Sequence, residues 1–206
     1  MIKRFLSYIA EQQEQQEKHA VLLSGRINPP TKGHKEHVDA VIDYAKKIGA
    51  DAYIVASRST GAKTKKGPNR DPLTPEQKEK HLKRAFPGAN VSVADAEQPS
   101  IFHQVKKLHK MGYTHITIAA GSDRAGEYQR IQDYHGPEGK DTEHRFKSVS
   151  VLNTGERQSG VSGTDMRKHA ENNDYESFKK NLPTTIQSNE KHSRELFNDV
   201  RKGLGH

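Results

Sequence analysis

Ala20-Val21-Leu22-Leu23-Ser24-Gly25-Arg26-Ile27-Asn28-Pro29-Pro30-Thr31-Lys32-Gly33-His34 carries the pattern from which the fold class follows. It opens on a short apolar run of strand length, the pattern of a strand covered on both faces. Gly25 is expected to let the chain leave that strand in a turn, and Pro29 and Pro30 stiffen the loop that follows. From about Gly33 to Ile48 the period changes to that of a helix, with Val38, Val41, Ile42, Ala45 and Ile48 on one stripe and Gly49 placed as a C-cap. A buried strand, a Gly/Pro loop and an amphipathic helix together make the first half of a βαβ unit.

The scheme repeats outward from there. Asp51 to Ala56 reads as a strand, and Thr74-Pro75-Glu76-Gln77 opens a helix with a capping box and proline at its first position. Val91 to Ala94 is a strand, and Ile101, Val105 and Leu108 mark a helix that stops near Gly112. Thr114 to Ala120 is a strand leading into Gly121-Ser122-Asp123-Arg124, and Ser148 to Leu152 alternates as a half-buried strand. Helices are expected from Thr164, around Tyr175, Phe178 and Leu182 as far as Pro183, and around Leu196, Phe197 and Val200. Strands alternating with helices at these lengths predict an α/β, doubly wound, mainly parallel sheet, whose ligands bind at the carboxyl ends of the strands. Residues 1–18 read as an amphipathic N-terminal extension, with Ile2, Phe5, Leu6 and Ile9 on one helical face. Residues 19–183 form the main domain and 184–206 a helical C-terminal tail.

Composition narrows the chemistry. The chain of 206 residues has 34 Lys and Arg against 26 Asp and Glu, a formal net charge of +8 that favours anionic partners without choosing among nucleotide, nucleic acid and lipid. The absence of cysteine excludes disulfides, thiolate metal sites and a cysteine nucleophile. No apolar run approaches the ~20 residues of a membrane-spanning helix, and the N-terminus is too short in apolar residues for a secretory signal. A soluble, cytoplasmic protein is the expectation.

The candidate site lies at two strand-to-helix junctions. Gly33 opens the first helix where backbone N–H groups and the helix dipole attract a phosphate, Thr31 offers a hydroxyl there, and His34 in the first turn can point back at the same anion. A histidine at this place could instead simply cap the helix, but the glycines and prolines around it have no reason to exist in a plain turn. Near the other end, Ser162 and Thr164 are expected to cap a helix beside Gly163, with Arg167 one turn in as a bidentate cation for phosphate. Gly121, Ser122 and Asp123 follow a strand and read equally as a nucleotide-facing turn or a plain one. His37 reads as a solvated helix residue, and the run from Lys63 to Lys66 as a solvated loop, with a lid over phosphates as the alternative. No P-loop and no Gly-x-Gly-x-x-Gly fingerprint is present.

Gly25, Pro29, Thr31, Gly33 and His34 resemble the signature Gly-x-Phe-x-Pro-x-(His/Thr)-x-Gly-His of the HxGH-type, cytidylyltransferase-like nucleotidyltransferase superfamily. Ile27 stands where an aromatic is usual. Val161-Ser162-Gly163-Thr164-Asp165-Met166-Arg167 is similar to the superfamily's Ile-Ser-Ser-Thr-x-x-Arg element, in the form seen in archaeal-type nicotinamide-mononucleotide adenylyltransferases. Asp71-Pro72-Leu73-Thr74 is similar to their Asn-Pro-(Phe/Leu)-Thr element. The ordered motifs also look like those of nucleotidyltransferase-like proteins of large tailed bacteriophages.

The resemblance implies transfer of a nucleoside monophosphate from a triphosphate to a small phosphate-bearing acceptor, with release of pyrophosphate. His34, Thr31, Arg167 and Thr164 would be the catalytic residues. Gly25, Arg26, Asn28, Pro29, Gly33, Gly121, Ser122, Asp123, Ser162 and Gly163 would bind the nucleotide. Mg²⁺ would arrive on the triphosphate, with no protein metal ligands. ATP and nicotinamide mononucleotide, giving NAD, are the favoured substrates, and a homo-oligomer is expected. The alternatives are cytidylyl transfer to a phosphorylated alcohol or sugar, and a non-catalytic nucleotide-binding or virion-associated module. Nucleic acid is compatible with the charge but not favoured by the motifs.

Overall fold

Ala20, Val21 and Leu22 are fully buried because their strand, β1 (His19–Gly25), lies at the centre of a five-stranded sheet. The computed structural model describes residues 17–61, 71–97, 99–122, 125–155 and 160–206. The amphipathic run at Ile2 to Ile9, the Lys63 to Lys66 segment and Asp123 therefore lie outside the described residues. Strands β2 (Asp51–Ala56), β3 (Asn90–Val93), β4 (His115–Ala120) and β5 (Ser148–Asn153) complete the sheet in the order β3-β2-β1-β4-β5. Every neighbouring pair is parallel. This is an α/β, Rossmann-like doubly wound fold, and the strand order reverses between β1 and β4.

Helices cover both faces. On one, α1 (Lys32–Ile48), α2 (Pro75–Ala85) and α5 (Gly163–Glu171) pack Val38, Val41, Leu82 and Met166 against Val21, Ile54 and Ala119. On the other, α3 (Ile101–Lys110) and α4 (Gln129–His135) set Val105, Leu108 and Ile131 on Leu22, Ile116 and Ile118. A 3₁₀ turn, Ala125–Tyr128, precedes α4. The local signals work as their chemistry dictates. Thr74 and Gln77 close a capping box with Pro75 behind the cap, and Gly49 ends α1 in the left-handed conformation at φ 65°. β5 is one of the two edge strands, and of its six residues Val149 alone is buried.

The C-terminal region is helical, with α6 (Tyr175–Lys180), α7 (Thr184–Gln187) and α8 (Glu190–Leu204). α8 is built into the body. Leu196, Phe197 and Val200 join the core of the α1 face, Arg84 Nη1 pairs with Glu195 at 2.6 Å, and His81 Nε2 meets Asp199 Oδ2 at 2.7 Å. Gly203 lets α8 cross the Pro72 segment so closely that a Cβ there would overlap the Pro72 carbonyl. Since that neighbour is backbone, it cannot rotate away. Gly203→Ala is expected to destabilise the fold by about 1–3 kcal/mol, the usual cost of overpacking. Lys202→Ala, at an exposed neighbour, should stay within about 0.5 kcal/mol. Urea unfolding of the two variants checks the contrast.

Candidate active site

The strand-order reversal leaves a crevice at the carboxyl ends of β1 and β4, and there a cavity of about 660 Å³ opens. Leu23 to Ile27 form one wall, Ala119 to Ser122 another, and His34, His37, Tyr128 and Gly155 complete it. Of the residues expected from sequence, Gly25, Arg26, His34, Gly121 and Ser122 line this space.

His34 does two things at once. It is the third residue of α1, and it closes a capping box with the N-cap Thr31 in the place usually filled by Glu or Gln. The Thr31 N–H donates to His34 Nδ1 at 3.2 Å, and the His34 N–H donates to Thr31 Oγ1 at 3.2 Å. Thr31 Oγ1 also stands 2.9 Å from His34 Nδ1. A ring nitrogen that accepts from an amide carries a lone pair, so the neutral imidazole holds its proton on Nε2. The ring is nearly buried, 8 % exposed, and borders the cavity. The capping role and the cleft role are therefore compatible: Nδ1 serves the helix while the ring borders the cavity.

Beneath the cavity, the loop is braced rather than open. Asn28 is buried; its Oδ1 accepts from the Leu73 N–H, its Nδ2 donates to Asp71 Oδ1, and its carbonyl accepts from Arg167 Nη1 at 2.9 Å. The Asn28–Pro29 peptide is cis. Asn28 and Pro29 thus support the loop from below. Arg167 is 7 % exposed, and its other terminal nitrogen donates to Thr164 Oγ1 at 2.9 Å. It ties α5 to the loop after β1, and Thr31 Oγ1 reaches Val161 O at 3.5 Å beside it. The two strand-to-helix junctions meet, but among the described residues that border the cavity neither Arg167 nor Thr164 figures.

Three expectations change in detail. Ser162 alone is the N-cap of α5: it accepts from the Asp165 N–H, and Asp165 Oδ2 accepts back from Ser162 N, while Thr164 is exposed. Those bonds from Ser162 hold the Asp165 carboxyl below its ordinary range. Gly25 does not turn the chain. It is still in β1, paired with Ala56, and its φ lies outside the left-handed region. His37 is half-buried and borders the cavity, its Nδ1 2.7 Å from Thr154 Oγ1. The helical spacing of three from His34 was the signal for this, since it puts both rings on one face. Tyr128 carried no such signal, because it sits in a 3₁₀ turn without periodicity.

Lys78 is a further buried group that the sequence does not flag. Its Nζ donates to the carbonyls of Ser57, at 2.9 Å, and Ser59, and lies 4.0 Å from Asp71 Oδ1. It thereby joins the end of β2 to the carboxylate that holds Asn28. Burial pushes its pKa from 10.5 down to about 8, against the pull of Asp71.

The fold and cleft define a class: a doubly wound α/β protein with a ligand crevice at its switch point. No protein-family model matches the chain, and no curated protein sequence matches it. Among solved structures it is similar to Thermotoga maritima TmcAL bound with alpha-thio ATP, at TM-score 0.54 and 11 % identity, covering 91 % of this chain and 57 % of that one. It is also matched with Plasmodium falciparum nicotinic acid mononucleotide adenylyltransferase complexed with APC, at TM-score 0.49 and 16 % identity, covering 88 % and 98 %. The chain spans little more than half of the TmcAL structure, and at this identity the likeness is one of fold.

A pH test follows from Lys78. Its folded pKa lies below its unfolded one, so the cost of its charge is fully present below about pH 8 and fades as pH rises from there to 10.5. Compared with Lys78→Met, the wild-type protein should gain up to about 3 kcal/mol across that window. Urea unfolding at pH 7, 8.5 and 10 measures it, and a flat difference would contradict the shift.

Proposed function

We propose that the protein is a nucleotidyltransferase, moving a nucleoside monophosphate from a triphosphate to a phosphate-bearing acceptor. The observation that carries this is His34 at the switch-point cavity, in the first turn of α1 with its Nδ1 bonded to Thr31. The α-phosphate sits at the start of α1, where the helix dipole and the Nε2–H donor act on its oxygens. An acceptor phosphate oxygen attacks the α-phosphorus in line. The new P–O bond forms as the bond to the bridging oxygen breaks, and pyrophosphate leaves with that electron pair. No covalent intermediate on the protein is needed, so catalysis is positioning and charge stabilisation.

Mg²⁺ enters as part of the triphosphate substrate. Such an ion keeps several waters and is bound through the substrate's phosphates. In this reading the pyrophosphate end lies toward the start of α5, and Arg167 acts as a positioning residue that fixes the loop through Asn28.

ATP is the proposed donor and nicotinamide mononucleotide the proposed acceptor, on the resemblance of Ser162 to Arg167 and of Asp71 to Thr74. Gly163 itself has a second reason to be glycine: a Cβ would stand 3.2 Å from Arg167 Nη1 and 3.3 Å from Asn28 O. Base choice is made at the wall formed by Gly121, Ser122 and Gly155, where an unpaired donor or acceptor costs ~1–3 kcal/mol.

His34→Gln separates the two roles of the histidine. Glutamine at this position can still accept from the Thr31 N–H, so stability should change by less than about 1 kcal/mol. Pyrophosphate release from ATP with nicotinamide mononucleotide should fall on the order of 10²- to 10⁴-fold. Turnover close to wild type in the folded variant would remove His34 from the chemistry. Tighter calorimetric binding of CTP than ATP would turn the reading to cytidylyl transfer.

A further inference from the structure

Ser148-Val149-Ser150-Val151-Leu152-Asn153 is an edge strand without the devices that keep edges apart. Natural sheets protect a free edge with charged side chains, proline, a bulge or shortness, because its open N–H and C=O groups are a template for another strand. β5 has six residues, none of them charged and none proline. Its register with β4 runs from Ser148 to Asn153 without a bulge. Ser150, Val151 and Asn153 are exposed, and Val151 is 38 % exposed for all its apolar character. The opposite edge differs: β3 has four residues, of which Asn90 alone is exposed.

The backbone of β5 shows which groups face outward. Along a strand in a parallel ladder, one residue turns both its N–H and its C=O to a given neighbour and the next turns both away. The Thr154 N–H donates to the Ala120 carbonyl at 2.8 Å, which puts the even-numbered residues of β5 on the β4 side. Val149, Val151 and Asn153 therefore direct their backbone groups outward, and among the described residues no strand receives them. These positions are spaced evenly about Val151. Turned end for end, the strand matches its own copy: Val151 meets Val151, and Val149 meets Asn153. The match sets no charge against a like charge, since the strand is neutral and the flanking Lys147 pairs with Glu17 at 3.2 Å.

We propose that β5 is a self-association surface, on which two copies of the chain pair their edge strands antiparallel about Val151. Two five-stranded sheets then become one continuous sheet. The outward N–H and C=O groups of each strand are satisfied by those of the other, and Val151 packs on its counterpart across the two-fold axis. A second copy is the fitting occupant because the same strand supplies both halves of the match. Antiparallel pairing sends the carboxyl ends of the two sheets in opposite directions. The two crevices therefore open at opposite ends of the joined sheet, each with its own His34. The inference stands on the strand alone and is independent of the nucleotidyl-transfer reading.

Sedimentation equilibrium of the full chain tests it. The mean mass should rise from monomer toward dimer between about 1 and 200 µM, as mass action requires. Over the same range the Val151 amide, followed by NMR, should slow its hydrogen exchange about tenfold or more, while the amides of Ser150 and Leu152, bonded to β4, are protected throughout. Val151→Lys sets two ammonium groups against each other at the two-fold axis and should weaken association about tenfold or more. Its melting temperature should stay within about 2 °C of wild type, because the side chain it replaces is exposed. Val151→Thr, uncharged and of similar shape, should associate like wild type. The proposal is overturned by a monomer throughout the range, or by association that the lysine variant keeps. A Val151 amide already protected in the dilute monomer would mean that the chain covers its own edge, and overturns it as well. So does a dimer in which that amide still exchanges freely, since the contact then lies on another surface.

Discussion

Asn28 makes three hydrogen bonds from a buried position, and the geometry of the cleft depends on them. Its carbonyl accepts a hydrogen bond from Arg167, its amide oxygen accepts one from the Leu73 N–H, and its amide nitrogen donates one to Asp71. Those partners come from two separate segments: α5, and the stretch from Asp71 to Leu73 that leads into α2. A loop of two prolines between a strand and a helix would otherwise be held only at its ends. Bracing it from below fixes Thr31, and Thr31 fixes the His34 ring through both its N–H and its hydroxyl. Buried hydrogen bonds of this kind are worth about 1 kcal/mol each when made. The larger effect is the penalty of leaving any of these polar groups unmatched, which selects one loop conformation over others.

The same bracing accounts for glycine at 163. α5 approaches the loop closely enough that its first residue has Asn28 O and Arg167 Nη1 at the edge of contact with any side chain. A larger residue would have to displace either the carbonyl or the guanidinium that bonds to it. Position 163 thus answers to the loop. Lys78 extends the brace to the end of β2, so the charged groups buried around the loop, Lys78, Asp71 and Arg167, are internal ties.

Much of the fold was legible because its signals are local. The run of Ala20 to Leu23 is apolar because β1 is central; the Thr74 and Gln77 pair and Gly49 cap helices by hydrogen bonds that need only neighbours in sequence. α4 and α7 were not read, since helices of 7 and 4 residues carry too few turns to show a period. In the site, His34, Thr31 and the meeting of two junctions follow from motif and order. What sequence could not supply is which residues face the cavity and which lie beneath it. Asn28, Pro29 and Arg167 read as ligand contacts and are packed under the loop, whereas His37 reads as solvated and borders the cavity. Gly25 reads as a turn and is plain strand. Those distinctions are tertiary, set by the register of β1 against β2 and by the rotation of α1.

The protonation of His34 constrains how charge is shared across the cleft. An imidazolium would set an Nδ1 proton against the Thr31 N–H that now donates to that nitrogen, replacing an attraction by a repulsion inside a nearly buried ring. The helix cap therefore favours the neutral tautomer with Nε2–H. A neutral donor stabilises a developing oxyanion by its dipole, without adding a full charge that would bind the ground-state triphosphate as strongly as the transition state. In the proposed reaction, neutralising the phosphates would fall to groups outside the helix cap, among them Arg26, exposed at the cavity wall, and the Mg²⁺ carried by the triphosphate. The capping box, read first as a structural competitor to catalysis, is the feature that assigns His34 its chemical form.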